Sequence, residues 1–170
     1  MIISKYSWKY FRIFAKYTLK YFCMDKQIIK NIIIEKQIAI PNYKLVHRDF
    51  LFGDKSNYIL VGIRRAGKSY LLYQDIQTRL NKGEQSAHDI LYINFEDERL
   101  SSLKAEELGI ILDSYMELYP GKQPFVYLDE IQNIEGWEKF ARRLADSQYR
   151  VMNCLISFSN KVTNFSIVKT

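Results

Sequence analysis

The sequence is poor in the residues from which disulfides and metal sites are built. It contains two cysteines and two histidines among 170 residues. Cys23 and Cys154 lie far apart and lack the spacing of a metal site, so we interpret both as apolar residues rather than as a disulfide. His47 and His88 are isolated along the chain and form no ligand cluster. This composition favours a reducing compartment.

Long apolar runs are also missing. No stretch of about 18 uncharged apolar residues occurs, so the sequence predicts no transmembrane helix. The chain is 48% hydrophobic and 26% charged, which is typical of a soluble globular protein. Its length is sufficient for one domain with a hydrophobic core.

Acidic residues are absent from residues 1–23, which carry five basic residues. At a spacing of three or four, these basic residues form one stripe on a helix, with aromatic side chains over the remaining surface. Two interpretations stay open for this basic aromatic extension. One is non-native sequence that precedes a true start at Met24, which the change of composition there favours. The other is an anchor that contacts a membrane interface.

The rest of the chain is nearly neutral, because it contains 20 of the 25 basic residues and all 19 acidic residues. The net charge of +6 therefore resides mainly in the extension. A neutral body gives no electrostatic argument for a nucleic-acid partner.

The strongest motif lies between residues 57 and 72. A short apolar run, Tyr58 to Val61, indicates a buried strand. GIRRAGKS at 62–69 fits the P-loop pattern G-x-x-x-x-G-K-[ST], and apolar residues at helical spacing follow it. In such a loop the backbone N–H groups surround phosphate oxygens. Lys68 is then expected to reach the terminal phosphates of ATP, and the Ser69 hydroxyl to ligate Mg²⁺.

A second apolar run, Phe125 to Leu128, ends in Asp129 and Glu130. The carboxyl end of a buried parallel strand is where ligands bind in an open α/β sheet. Asp129 is therefore a candidate metal residue, as in a Walker B motif, and Glu130 a candidate catalytic residue that activates water. Without the P-loop, two solvated acids at a strand end would explain the pattern equally well.

The remaining periodicity predicts an α/β fold. Helices are expected over 25–40, 103–119 and 136–147, and further strands over 90–95 and 149–158. We assign Ile28, Ile29, Ile32, Ile33 and Ile38 to an apolar stripe on the first helix. Alternation of strands and helices implies a mainly parallel sheet with covering helices. For Arg48 in the connector, we weigh a nucleotide contact against a solvated charge or ion pair, and favour the latter.

The three blocks GIRRAGKS, LYINFEDERL and VYLDEIQNIEGWEKFARRLAD resemble the prokaryotic AAA-type ATP-binding proteins of the AAA+ superfamily. The resemblance implies a P-loop NTPase three-layer sandwich over 24–160, ATP and Mg²⁺ as ligands, and ATPase activity. The P-loop together with the cysteine content suggests a cytoplasmic location. By motif position, Lys68 and Ser69 belong to Walker A, and Asp129 and Glu130 to Walker B. The residues expected to contact ATP are Gly62, Ile63, Arg64, Arg65, Ala66, Gly67, Lys68, Ser69, Tyr70 and Asn160.

The C-terminal region departs from the family pattern. Phe158 replaces a glycine before the expected sensor residue Asn160, and residues 161–170 are expected to be a tail. We therefore expect a fold incomplete at its C-terminal end, without lid or C-terminal domain. The alternative function is a nucleotide-binding fragment without significant turnover. We expect a trans arginine finger to be missing as well, and we interpret Arg142 and Arg143 as surface charges. A homo-oligomer stays open.

Overall fold

The computed structural model describes residues 25–50, 52–53, 57–147, 149–156 and 166–169. Five strands and four α-helices form this part of the chain. The strands are β1 (Tyr58–Gly62), β2 (Ile90–Asn94), β3 (Phe125–Asp129), β4 (Arg150–Ile156) and β5 (Ser166–Lys169). The helices are α1 (Lys26–Ala39), α2 (Lys68–Asn81), α3 (Gly109–Leu118) and α4 (Glu138–Asp146). None of the helices in these ranges is long and apolar enough to cross a membrane.

The sheet has the order β2-β3-β4-β1-β5. Strands β1 to β4 are parallel, with Tyr92 opposite Tyr127 and Asn94 opposite Asp129. The predicted α/β fold with a mainly parallel sheet is therefore confirmed. Strand β5 pairs antiparallel with β1 and lies within residues 161–170, for which no strand was predicted.

Helices cover both faces of the sheet because its connections run in opposite directions. The chain moves from β1 to the far edge at β2, and then returns through β3 and β4. Right-handed connections that run in opposite directions put their helices on opposite faces. One hydrophobic cluster accordingly joins α2 to one face, and the other joins α1, α3 and α4 to the opposite face. The loops after β1 and β3 thus leave toward different faces, which opens a crevice at the carboxyl edge.

Helix α1 has the predicted bounds but not the whole predicted stripe. Ile29, Ile32 and Ile33 are fully buried, whereas Ile38 is 65% exposed. Four residues after Ile33, the buried position of the helix is Gln37. Ile38 is the next residue and lies outside the buried face. The Gln37 amide is satisfied, because it donates to the Ile90 carbonyl and accepts from the Tyr119 hydroxyl.

The helix predicted from residue 103 begins later, at Gly109. Residues Ala105–Glu107 form a separate 3₁₀ turn, in which the Glu107 carboxylate accepts the Lys104 N–H. The Glu107 N–H donates to the Lys104 carbonyl at 3.0 Å, an i to i+3 hydrogen bond, so this turn is 3₁₀ rather than α-helical. The end of the helix agrees with the break predicted at Pro120. The extension at 1–23, Phe158 and Asn160 lie outside the described residues.

Candidate functional site

In the loop between β1 and α2, Gly67 has a left-handed backbone conformation, whereas Gly62 ends β1 without a positive φ. Gly67 caps α2 with a φ of 81°, a left-handed conformation that favours glycine. A Cβ there would also lie 2.6 Å from the Arg48 Nη2 atom. Helix α2 begins at Lys68, so the backbone N–H groups of its first turn, including those of Ser69 and Tyr70, lie beside the loop.

Lys68 lies inside the loop rather than in solvent. Its side chain is 3% exposed, and its Nζ donates to the Ile63 carbonyl at 3.1 Å. The same Nζ lies 3.8 Å from Glu130 Oε1. The lysine of the first motif and the second acid of the other motif, 62 positions apart in the chain, therefore meet in the crevice.

Asp129 is fully buried at the end of β3. Its Oδ2 accepts a 2.6 Å hydrogen bond from the Tyr92 hydroxyl, and among the described residues its Oδ1 has no hydrogen-bond partner. Burial raises the pKa of Asp129, while the hydrogen bond from Tyr92, the nearby Ser69 hydroxyl and the charge of Lys68 oppose that rise. A buried carboxylate oxygen without a partner is costly, and it suits a site that a cation or water completes.

Glu130 follows the strand in an unusual conformation, with a φ of 56°. Its Oε2 accepts a hydrogen bond from the Gln132 side chain at 2.5 Å. Burial raises the pKa of Glu130, and the hydrogen bond from Gln132 and the charge of Lys68 act against it. The two acids thus lie side by side but have different partners: Tyr92 for Asp129, and Lys68 and Gln132 for Glu130.

Arg48 contacts the loop from the segment that precedes β1. Its Nη1 donates to the Ala66 carbonyl at 3.1 Å. Gln74 on α2 fixes that segment, because its Oε1 accepts the Arg48 N–H and its Nε2 donates to the Arg48 carbonyl. Arg48 therefore touches the P-loop while it remains exposed, which agrees with the solvated charge that the sequence favoured. No motif signals this contact, because Arg48 and Ala66 are 18 residues apart.

Charged residues around the crevice have structural partners. Arg64 forms an exposed ion pair with Glu96 at 3.1 Å, a type that contributes little to stability. Arg99 binds Glu35 on α1 through two hydrogen bonds, and it also binds Asp97. These contacts fasten the loop after β2 to α1.

The structure brings Lys68, Ser69, Asp129 and Glu130 together. The other motif residues have varied exposure: Ile63 is 48% exposed, and Tyr70 is 56% exposed with its ring against Tyr73. Arg142 and Arg143 are exposed on α4. Sequence reasoning missed Tyr92, whose only signal is its position in the strand beside Asp129. Within the described ranges, no group of three or more His, Cys, Asp or Glu side chains surrounds a metal position.

Comparison with known proteins gives one family and two relatives. A protein-family model described as an AAA domain matches residues 54–167. An uncharacterized protein of Methanocaldococcus jannaschii is 34% identical over 131 residues, which are 75% of this chain and 28% of that protein. An uncharacterized protein of Haemophilus influenzae is 35% identical over 89 residues, which are 51% of this chain and 21% of that protein. The chain therefore spans less than a third of either relative. No solved structure matches it significantly.

Proposed function

Because the chain belongs to the AAA domain family, we propose that it binds ATP with Mg²⁺ at the loop between β1 and α2 and hydrolyses the terminal phosphate. The observation that carries this proposal is the meeting of one buried lysine with two buried carboxylates at the carboxyl edge of the sheet. Three such charges are expensive to bury, so their retention points to chemistry rather than to stability.

The residues fit a nucleotide phosphate. The first turn of α2 offers N–H groups and the positive end of the helix dipole, and Lys68 adds a full charge. Gly67 places no side chain of its own over that turn, and the Arg48 guanidinium lies beside it. We therefore assign the binding of phosphates to residues 62–70, with Lys68 as the principal charge. Asn160, outside the described residues, stays a proposed sensor of the phosphate.

The residues also fit Mg²⁺. Among the described residues Asp129 Oδ1 has no hydrogen-bond partner, and the Ser69 hydroxyl lies close enough to lower the pKa of Asp129. With one carboxylate and one hydroxyl, the ion would take its other ligands from phosphate oxygens and water, as Mg²⁺ commonly does. When bound, Mg²⁺ would neutralise charge that develops on the phosphates.

Glu130 is the proposed general base. Its raised pKa makes the carboxylate a better proton acceptor than an exposed glutamate. The Gln132 amide occupies Oε2, and Lys68 lies nearest to Oε1. These two contacts fix the carboxylate so that it can orient an attacking water. Such an ATP-dependent function would be exercised in the cytoplasm.

Binding is tested by isothermal calorimetry with ATP and Mg²⁺ on the 170-residue chain. Lys68→Ala removes the charge that faces phosphate, and charge-assisted contacts are the strong ones. We expect affinity to fall at least about tenfold, or about 1.4 kcal/mol. Lys82→Ala, at the opposite end of α2, is the control and should leave affinity unchanged. Equal affinities of wild type and Lys68→Ala would refute the proposed site.

Turnover is tested by phosphate release from the wild-type chain and from Glu130→Gln. We expect the variant to keep ATP affinity within about twofold, 0.4 kcal/mol, and to lose phosphate release. Asp129→Asn should instead weaken binding in Mg²⁺, because it removes a charge from the metal site. Binding without release in the wild type would support the alternative, a nucleotide-binding module without significant turnover.

A further inference from the structure

One hydrogen bond within the crevice involves a residue to which the sequence motifs assign no role. The Tyr92 hydroxyl donates to Asp129 Oδ2 at 2.6 Å, and both side chains are at most 1% exposed. A hydrogen bond this short from a hydroxyl to a carboxylate is of the strong, charge-assisted kind. Because both side chains are shielded from bulk solvent, the hydroxyl contributes directly to the orientation of the carboxylate.

The sheet register explains how Tyr92 reaches Asp129. Tyr92 lies opposite Tyr127, and Asp129 is two residues further along β3, so all three side chains share the α2 face. Diagonal neighbours on adjacent strands are about 7–8 Å apart, which a tyrosine side chain spans. The contact therefore depends on one aromatic residue at one register position.

A second tyrosine supports the first. The hydroxyl groups of Tyr73 and Tyr92 are 3.1 Å apart, and their rings lie 5.3 Å apart. Since Tyr92 gives its single proton to Asp129, Tyr73 is the donor in the other hydrogen bond. Tyr73 follows Ser69 by one helical turn, so α2 presents the serine and the supporting tyrosine to the same side of Asp129.

We propose that Tyr92 is the positioning residue of Asp129: its hydroxyl holds Oδ2 and thereby directs Oδ1 toward the Mg²⁺ that accompanies ATP. The inference rests on the proposed function and adds a residue to it. The Asp129 oxygen that Tyr92 leaves alone is the one without a partner among the described residues. Groups that orient metal ligands from behind typically control metal affinity by about 10-fold to 100-fold.

The test compares two tyrosines that share the sheet face and the chemistry. Tyr92→Phe removes the hydroxyl beside Asp129. Tyr127→Phe is the matched control, because Tyr127 is also fully buried and donates to a carboxylate, that of Asp75, at 2.7 Å. ATP affinity of the full chain is measured by calorimetry twice for each protein, once in Mg²⁺ and once in EDTA.

For Tyr92→Phe we expect the dissociation constant in Mg²⁺ to rise about tenfold, and the constant in EDTA to stay within about twofold, 0.4 kcal/mol. Tyr127→Phe should leave both constants within that same range, although it lowers stability. The inference would be overturned if Mg²⁺ changed the ATP affinity by the same factor in Tyr92→Phe and in Tyr127→Phe. If Tyr92→Phe lacks a cooperative thermal transition, Tyr73→Phe is measured in its place. A loss of ATP affinity in Mg²⁺ but not in EDTA then supports the inference, and unchanged ATP affinity overturns it.

Failure of the proposed function gives a different result. A wild-type chain that binds no ATP in either buffer, or binds as well after Lys68→Ala, defeats the P-loop site and the inference together. A wild type that binds ATP through Lys68 while Tyr92→Phe keeps its full Mg²⁺ dependence defeats the inference alone.

Discussion

The fold depends on a buried charge cluster at the end of α2 remote from the P-loop. Asp75 Oδ2 accepts hydrogen bonds from Arg79 Nε at 2.9 Å and from the Tyr127 hydroxyl at 2.7 Å. The side chains of Asp75 and Arg79 are 7% and 6% exposed. The Arg79 guanidinium also lies over the Phe125 ring, 5.2 Å from its centre. The cluster fastens α2 to β3, the two elements that carry Lys68 and Asp129.

Asp75→Asn keeps the size of the side chain and removes its charge. Removal of one partner from a buried ion pair costs about 3–5 kcal/mol, because the remaining charge is left uncompensated. Glu84 lies 3.9 Å from Arg79 Nη1 and is partly exposed, so it compensates a part of that charge. We therefore expect the lower end, about 3 kcal/mol of unfolding free energy. Tyr127→Phe removes a single hydrogen bond to a charged group and should cost about 1.5 kcal/mol.

Urea unfolding followed by circular dichroism measures these differences through the midpoint and slope of the transition. Asp113→Asn is the control, since this acid is exposed on α3 and its loss should fall within about 0.5 kcal/mol. The same preparations should bind ATP in Mg²⁺ as the wild type does. If Asp75→Asn costs less than about 1 kcal/mol, Arg79 does not depend on this carboxylate and the reasoning from buried charge is refuted.

Two further predictions concern the loop and the contact of α1 with α3. Gly67→Ala should lower stability by about 1–2 kcal/mol through its left-handed backbone. Its Cβ also meets Arg48, so Arg48→Ala should relieve only a part of that loss in urea unfolding; full relief would exclude backbone strain. Lys26 and Lys30 lower the pKa of Glu117 from 4.5 to about 2. Because the folded pKa is the lower one, their pairing stabilises above pH 4.5 and is lost toward pH 2. The difference in Tm between wild type and Glu117→Gln should therefore shrink over that range, and a constant difference would contradict the pairing.

The elements that could be predicted from the sequence are those with a strong local signal. The strand at Tyr58, the loop ending in Gly67 and the helix after it follow from an apolar run, a glycine pattern and a 3.6-residue period. The start of α3 could not be predicted, because apolar spacing does not distinguish the 3₁₀ turn at Ala105–Glu107 from a first α-helical turn. The antiparallel pairing of β5 depends on contacts with β1, more than 100 residues earlier in the chain.

Some residues of the candidate site could likewise be predicted from the sequence, and others could not. Lys68 and Asp129 could be named from motifs, because phosphate and Mg²⁺ chemistry requires those residue types at those positions. Arg48 and Tyr92 could not, since their roles come from contacts 18 and 37 residues away in the chain. A tyrosine in a strand is ordinarily a core residue, and only the register that sets Asn94 against Asp129 turns Tyr92 toward the carboxylate.

The conformation of Glu130 explains how two consecutive acids reach one crevice. Successive side chains in a strand point to opposite faces, so a longer β3 would carry Glu130 to the face of α3 and α4, away from Lys68. The strand ends at Asp129, and Glu130 takes φ and ψ of 56° and 34°. That left-handed conformation costs about 1–2 kcal/mol in a residue other than glycine. It brings Oε1 within 3.8 Å of Lys68 Nζ. Glycine would remove the strain but also the carboxylate, so the chain retains local strain at the group that we propose handles water.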